Sequence, residues 1–168
     1  MGTVTPADFE EIRAVKARYF RYVDTKNWDA LGTLYTPDAT FDGFAFDTST
    51  PQAFVQNVAA FLDGVQSVHQ GFMPEFDERG PNHVRGIWTM HDYLRWAPGT
   101  RGYKGVVLPD QCGIDGYGHY EDEYTRLDGR WLISFQRLTR LRVDPVVPVP
   151  GEDDTEYDVT RLTPGWLD

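Results

Sequence analysis

Cysteine is nearly missing from this chain: Cys112 is the only one in 168 residues. That excludes an internal disulfide framework and any cysteine-based zinc site. Positive charge is also in short supply, with 16 Lys and Arg against 26 Asp and Glu, a formal net charge of −10. A phosphate-binding surface needs clustered basic residues, so this balance argues against a nucleic-acid partner and against an anionic membrane surface. No apolar run approaches the ~18 residues needed to span a bilayer. Residues 1–11 show no basic segment followed by an apolar one, so no signal peptide is visible. Glycine-rich phosphate loops, a serine elbow and internal repeats are absent as well. What is present is apolar material: 40% of residues are hydrophobic, including 5 Trp, 9 Tyr and 10 Phe. That suffices for a packed core, and the composition reads as one soluble, cytoplasmic domain.

The chain opens with Thr5-Pro6-Ala7-Asp8, a capping residue, a proline suited to the first helical position and an acid in the first turn. Ile12, Tyr19 and Val23 then recur at helical spacing, with Val15 and Phe20 beside them and Arg13, Lys16 and Arg21 elsewhere on the wheel. This predicts an amphipathic helix over residues 6–24. A short helix is expected from Trp28 to Tyr35, ending before Thr36-Pro37. A third starts at Thr50-Pro51, runs through Phe54, Val58, Phe61 and Leu62, and is closed by Gly64.

Beyond residue 65 the pattern turns to β-branched and aromatic residues. Strands are expected at Ser67 to His69, His83 to Trp96, Gly118 to Leu127 and Arg130 to Val143, with a short one at Ala39 to Phe44. Asp128-Gly129 marks a hairpin between the last two long strands. Ala97 to Tyr117, rich in glycine, reads as a long loop or irregular strand. Residues 144–168, with Pro145, Pro148, Pro150 and the acidic run Glu152-Asp153-Asp154, read as an extended tail beyond a domain spanning 1–143. Helices followed by mainly antiparallel strands define an α+β class, and a curved sheet wrapped around helices leaves a cavity at its open end.

No metal signature appears. His69, His83, His91 and His119 lack the spacing of a helix-borne zinc pair, and Cys112 has no patterned base near it. The remaining candidates are ionisable groups among apolar ones. Asp24 ends the first helix, where the dipole disfavours a carboxylate, so water, a cation or a donor such as a histidine must compensate. As a solvated residue beginning a turn it would need no further role. His69 sits in an early strand, on the face opposite Val68, and lines the interior only if that interior is a pocket. Tyr19 lies on the core-facing stripe. Arg140 alternates with apolar residues in Arg137-Leu138-Thr139-Arg140-Leu141-Arg142, where the plain alternative is an outward, solvated arginine.

These positions gain meaning from a resemblance. Lys16-Ala17-Arg18-Tyr19-Phe20-Arg21-Tyr22-Val23-Asp24 with Lys26-Asn27-Trp28-Asp29-Ala30-Leu31 is similar to the first helices of SnoaL-like proteins, in the nuclear-transport-factor-two-like superfamily. The likeness continues at Ser67-Val68-His69-Gln70-Gly71 with Pro74-Glu75, at Gly86-Ile87-Trp88 and Asp92, and at Tyr120-Glu121-Asp122-Glu123-Tyr124 leading into Asp128-Gly129-Arg130-Trp131. It resembles the bile acid 7α-dehydratases most, and scytalone dehydratase, ketosteroid isomerase and lindane dehydrochlorinase more distantly. The resemblance implies a cone-shaped α+β barrel of N-terminal helices in a curved, mainly antiparallel sheet, assembled as a homodimer or homotrimer. It implies Tyr19, Asp24, His69 and Arg140 as catalytic residues and Asp92 as a further pocket acid; Trp88, Phe72 and Tyr120 are expected to line the pocket. Phe72 and Met73, after Gly71, depart from the more polar pattern of relatives.

The chemistry suits that arrangement. A carboxylate fixing one imidazole nitrogen leaves the other as a base, with no cofactor required, and a tyrosine can donate to a developing enolate. The expected activity is a dehydratase-type lyase acting on a hydrophobic, steroid- or polyketide-like hydroxylated carbonyl compound. An isomerase or polyketide cyclase would use the same proton abstraction. A non-catalytic binding or dimerisation module would keep Asp24 and His69 only to satisfy each other, with His69 sealed from any cavity.

Overall fold

In the computed structural model, residues 3–46, 48–102 and 109–148 are described. The helix α1 (Pro6–Asp24) starts as the sequence predicts. Thr5 Oγ accepts the Asp8 N–H at 3.4 Å and Asp8 Oδ2 accepts the Thr5 N–H at 2.8 Å, a reciprocal cap followed by proline at the first position. The helix α2 (Trp28–Gly32) is capped by Asn27 and lasts barely more than a turn. The helix α3 (Pro51–Phe61) has Thr50 as its cap, and Gly64 turns the chain beyond it at φ +65°. No described helix is long and apolar enough to cross a membrane.

Among the described residues five strands form one sheet in the order β1-β5-β4-β3-β2. They are β1 (Tyr35–Asp42), β2 (Gln66–Gly80), β3 (His83–Arg95), β4 (Gly113–Leu127) and β5 (Arg130–Val146). β1 lies parallel to β5, and the other neighbours are antiparallel. This is the expected α+β class. Asp128 and Gly129 both have positive φ, 51° and 80°, which matches the right-handed twist of the β4–β5 hairpin.

The boundaries differ from the sequence expectation in four places. β1 begins at Tyr35 and takes in Thr36-Pro37, so α2 ends early. Proline is tolerated there because β1 is an edge strand, paired on one side only. β2 extends far past His69 to Gly80, interrupted by a bulge between Phe72 and Glu75 where Met73 adopts φ +37°. β4 starts at Gly113, so residues 113–117 belong to the sheet; residues 103–108 of the expected loop lie outside the described ones. β5 continues to Val146, with Pro145 opposite Ile114, so the first residues of the expected tail are strand; residues 149–168 lie outside the described ones.

The core lies between α1, α3 and the inner face of the sheet. Ile12, Val15, Tyr19 and Val23 of α1 are buried, as are Phe54 and Val58 of α3. On β3 the alternation is regular: Val84, Gly86, Trp88, Met90, Asp92 and Leu94 point inward while Arg85, Ile87 and Thr89 point out. Lys16 does not lie on a solvated side of α1. It sits in the Ile12–Tyr19–Val23 stripe with a fully buried side chain, its Nζ 2.8 Å from Oδ2 of the equally buried Asp122.

Candidate active site

The last residue of α1, Asp24, meets the start of β2. The Asp24 Oδ2 accepts the backbone N–H of His69 at 2.7 Å, and Oδ1 lies 2.7 Å from His69 Nδ1. Ser67 Oγ donates to the same Oδ1 at 3.0 Å and in turn accepts from Lys26 Nζ at 2.8 Å. Lys26 reaches this position because it occupies the left-handed region, φ 60°, in the turn leaving α1. So the carboxylate at the unfavourable end of the helix is compensated by a main-chain donor, an imidazole, a hydroxyl and a nearby cation. Burial holds the Lys26 ammonium below its ordinary pKa, opposed by the attraction of Asp24. With Nδ1 engaged, His69 keeps Nε2 as its remaining ring nitrogen.

The His69 ring is 8% exposed and lines a cavity of about 600 Å³. Asp24 stands behind it and does not itself line the cavity. Tyr19 of α1 and Tyr120 of β4 share the lining, their hydroxyls 3.5 Å apart. Burial is the main cause that lifts both phenol pKa values well above the usual tyrosine range, so each hydroxyl stays a proton donor across ordinary pH. Asp92 of β3 and Arg140 of β5 complete the polar side: Arg140 Nη1 donates to Asp92 Oδ1 at 2.8 Å and Nη2 donates to Oδ2, a two-point pair. Arg140 therefore faces inward. A bulge in β5 between Arg140 and Arg142 turns Leu141 outward, 70% exposed.

Below the two tyrosines lies a buried polar layer. Lys16 Nζ sits 3.8 Å from the centre of the Tyr120 ring and 4.5 Å from that of Tyr19. Tyr124 Oη donates to Asp122 Oδ2 at 2.7 Å and accepts from Trp88 Nε1 at 3.1 Å. Burial pushes Lys16 down to about 8, although the Asp122 carboxylate pulls the other way.

Of the residues expected from sequence, Tyr19, Asp92, Tyr120, His69 and Arg140 surround one cavity, with Asp24 directly behind His69. Trp88 and Phe72 do not line it. Trp88 shares the inward face of β3 but lies further along the strand, where its ring meets Phe76 edge-on. Phe72 falls on the opposite face of β2 from His69 and Gly71 and is half exposed. The sequence reading missed the apolar half of the cavity: Phe44 and Phe46 after β1, Phe61 and Leu62 at the end of α3, and Leu94 and Leu138 on the strands. Leu94 and Leu138 were within reach, since each stands two residues from a polar lining residue and so on the same strand face. Among the described residues no group of three histidine, cysteine or carboxylate side chains is placed to hold a metal ion.

The sequence profile of the SnoaL-like domain matches residues 5–137. A protein of Gibberella zeae named as a probable cyclase is 25% identical over 150 residues, which is 82% of this chain and 94% of that one. Among solved structures, a candidate scytalone dehydratase from Novosphingobium aromaticivorans superposes with a TM-score of 0.70 at 14% identity, covering 88% of this chain and 96% of its own. A hexachlorocyclohexane dehydrochlorinase from Novosphingobium barchaimii gives 0.66 at 19% identity, covering 85% and 92%. At such identities the two structures establish the shared fold.

Proposed function

The chain belongs to the SnoaL-like domain family, and on that premise we propose that it is a cofactor-independent lyase of the dehydratase type. Its substrate is a hydrophobic, steroid- or polyketide-like compound with a hydroxyl β or vinylogous to a carbonyl. The single observation that carries this reading is the Asp24–His69 pair at 2.7 Å, set where the His69 ring lines the same cavity as two tyrosine hydroxyls.

The steps follow from the positions. His69 Nε2 removes the proton next to the carbonyl, and the electron pair left behind forms an enolate. Asp24 keeps the imidazole oriented and stabilises the imidazolium that results. Tyr19, whose hydroxyl donates to that of Tyr120 at 3.5 Å, turns its proton to the enolate oxygen while Tyr120 donates to Tyr19 in its place. As the enolate collapses to a conjugated alkene, the β C–O bond breaks and the imidazolium returns its proton to the departing oxygen, releasing water. Arg140 holds Asp92 in place at the wall. Positioned proton transfer of this kind contributes roughly 10²–10⁴-fold. The bile acid 7α-dehydratases remain the model for this residue set.

A cyclase or isomerase would use the same first step, and the resemblance to a probable cyclase favours keeping that second reading. The binding-module reading is disfavoured because the His69 ring opens on a cavity instead of being sealed in a polar core. Assembly as a homodimer or homotrimer is part of the proposal, supported by Val68, Phe72, Ile87 and Tyr117 exposed on the outer side of the sheet. Light scattering behind size exclusion tests it, and a monomer at micromolar concentration rejects it.

The activity is tested by incubating the protein with a panel of hydroxylated 3-oxo steroids and aromatic polyketides, alongside His69→Ala and Asp24→Asn. New ultraviolet absorbance from a conjugated product, lost in both folded variants, supports the lyase. Conversion without loss of water supports the isomerase or cyclase. Binding without conversion, with variants that lose only stability, overturns catalysis.

A further inference from the structure

A cavity that takes an anionic substrate needs a cation whose charge is not already matched by a carboxylate. Among the described residues lining this one, Arg140 is the only permanently charged cation. Each of its terminal nitrogens donates to Asp92, so its charge is already matched by a carboxylate whose side chain is 1% exposed against 15% for Arg140. Histidine 69 offers no substitute, because any positive charge it gains is met by Asp24 at 2.7 Å. A further carboxylate, Asp42, lines the cavity beside Gly43 and Phe44, and the whole chain carries −10.

The pair is built into the sheet. Asp92 lies on β3 and Arg140 on β5, so the two must reach across β4 between them. They do so over Gly116, the β4 residue opposite Asp92; any side chain there would collide with both the guanidinium and the carboxylate. The absence of a Cβ leaves a trough that the guanidinium and the carboxylate fill together. Apart from Asp42 and His69, the rest of the lining is apolar or neutral, with Phe44, Phe46, Phe61, Leu94 and Leu138 beside the two phenols.

We propose that the Asp92–Arg140 pair makes this a pocket for uncharged substrates, with Asp92 as the specificity residue that denies the guanidinium to carboxylates, sulfonates and phosphates. The inference rests on the proposed function and narrows it: the hydroxylated carbonyl compound enters without a free acid group, as an alcohol, ketone, lactone or ester. An anion entering the pocket would either remain unpaired among largely apolar walls or displace Asp92, leaving that carboxylate buried without its partner. Either route rejects it.

Two probes of nearly equal shape separate the possibilities: N-phenyl-1-naphthylamine, which is neutral, and 1-anilinonaphthalene-8-sulfonate, which carries one negative charge. Both gain fluorescence in apolar sites. The wild type should bind the neutral probe at least ten-fold more tightly than the sulfonate. Asp92→Asn, which releases Arg140, should raise sulfonate affinity about ten-fold while changing that for the neutral probe less than three-fold. The double variant Asp92→Leu with Arg140→Leu should keep the neutral preference, because loosening alone gives the anion nothing to bind. Equal affinity of the wild type for both probes overturns the inference, and so does a folded Asp92→Asn that gains no sulfonate binding. The wild-type ratio decides by itself if the variants do not fold. Loss of the inference with turnover still dependent on His69 leaves the lyase standing. A wild type that binds neither probe brings down both.

Discussion

Asp24 holds His69 by its ring and its main chain together, with Oδ1 2.7 Å from Nδ1 and Oδ2 2.7 Å from the backbone nitrogen. A carboxylate attached at two points to the same residue fixes both the strand position and the ring orientation. Replacing Asp24 by Asn keeps the size of the side chain but presents an amide donor where an acceptor is required. We expect Asp24→Asn to lose about 1–3 kcal/mol of stability through unsatisfied donors and to lower turnover by roughly 10²–10⁴-fold. Denaturant titration and initial rates on the same preparation check both, and a variant with full activity would show the pair to be structural only.

Lysine 26 and Ser67 stand behind this carboxylate, with Nζ 2.8 Å from Oγ. In Lys26→Met the Ser67 hydroxyl loses its donor and Asp24 its nearby cation, so turnover should fall several-fold, with a stability loss of about 1 kcal/mol. Lys26→Arg should restore most of both. Unchanged turnover with reduced stability would limit Lys26 to a structural role.

The Lys16–Asp122 pair predicts a stability cost on mutation. Lys16→Met strands a buried carboxylate and should cost about 3–5 kcal/mol, of which Lys16→Met with Asp122→Leu should recover part. A double variant that loses the sum of the Lys16→Met and Asp122→Leu costs would mean that the two side chains are not coupled.

The same lysine fixes the sign of a pH effect. Its folded pKa, about 8, is below the ordinary 10.5, so between these values the unfolded chain holds more protons and stability rises with pH. Above about 10 the buried tyrosines reverse the slope: Tyr19, Tyr35 and Tyr124 keep their protons when folded and lose them when unfolded, so stability falls. Urea titrations from pH 7 to 11 should show a maximum between the two limits. A steady decline from pH 8 upward would contradict the lysine assignment.

Gly116→Ala should force Asp92 and Arg140 apart and cost about 1–3 kcal/mol through overpacking, read as a fall in denaturation midpoint. No loss of stability would mean that the trough over β4 has room to spare.

Helix starts were legible because caps are local: Thr5-Pro6 and Thr50-Pro51 stand at the observed starts. Strand lengths were less legible. Whether Pro37 ends a strand or sits inside one depends on its being at the sheet edge, which is a tertiary fact. The dyad was found through pattern resemblance, since nothing local ties Asp24 to a residue 45 positions later. Lys16 was readable and misread: 12, 16, 19 and 23 form one helical stripe, and the charge obscured the spacing. Arg140 shares the inward face of Leu138 by simple alternation, but which face of β5 is inward there follows the irregularity between Ile133 and Phe135, a register event that the sequence pattern does not reveal. Phe44 and Phe46 reach the cavity from a segment with no periodicity to read.

β2 closes one side of the sheet, so its outer backbone groups have no neighbouring strand. At His69 the carboxylate of α1 occupies that vacancy, accepting an N–H that would otherwise offer itself to any passing extended segment. The residue assigned to orient the base thus also guards the border of the sheet against strand addition from another chain. One side chain there would serve both the proposed chemistry and the protection of the sheet edge.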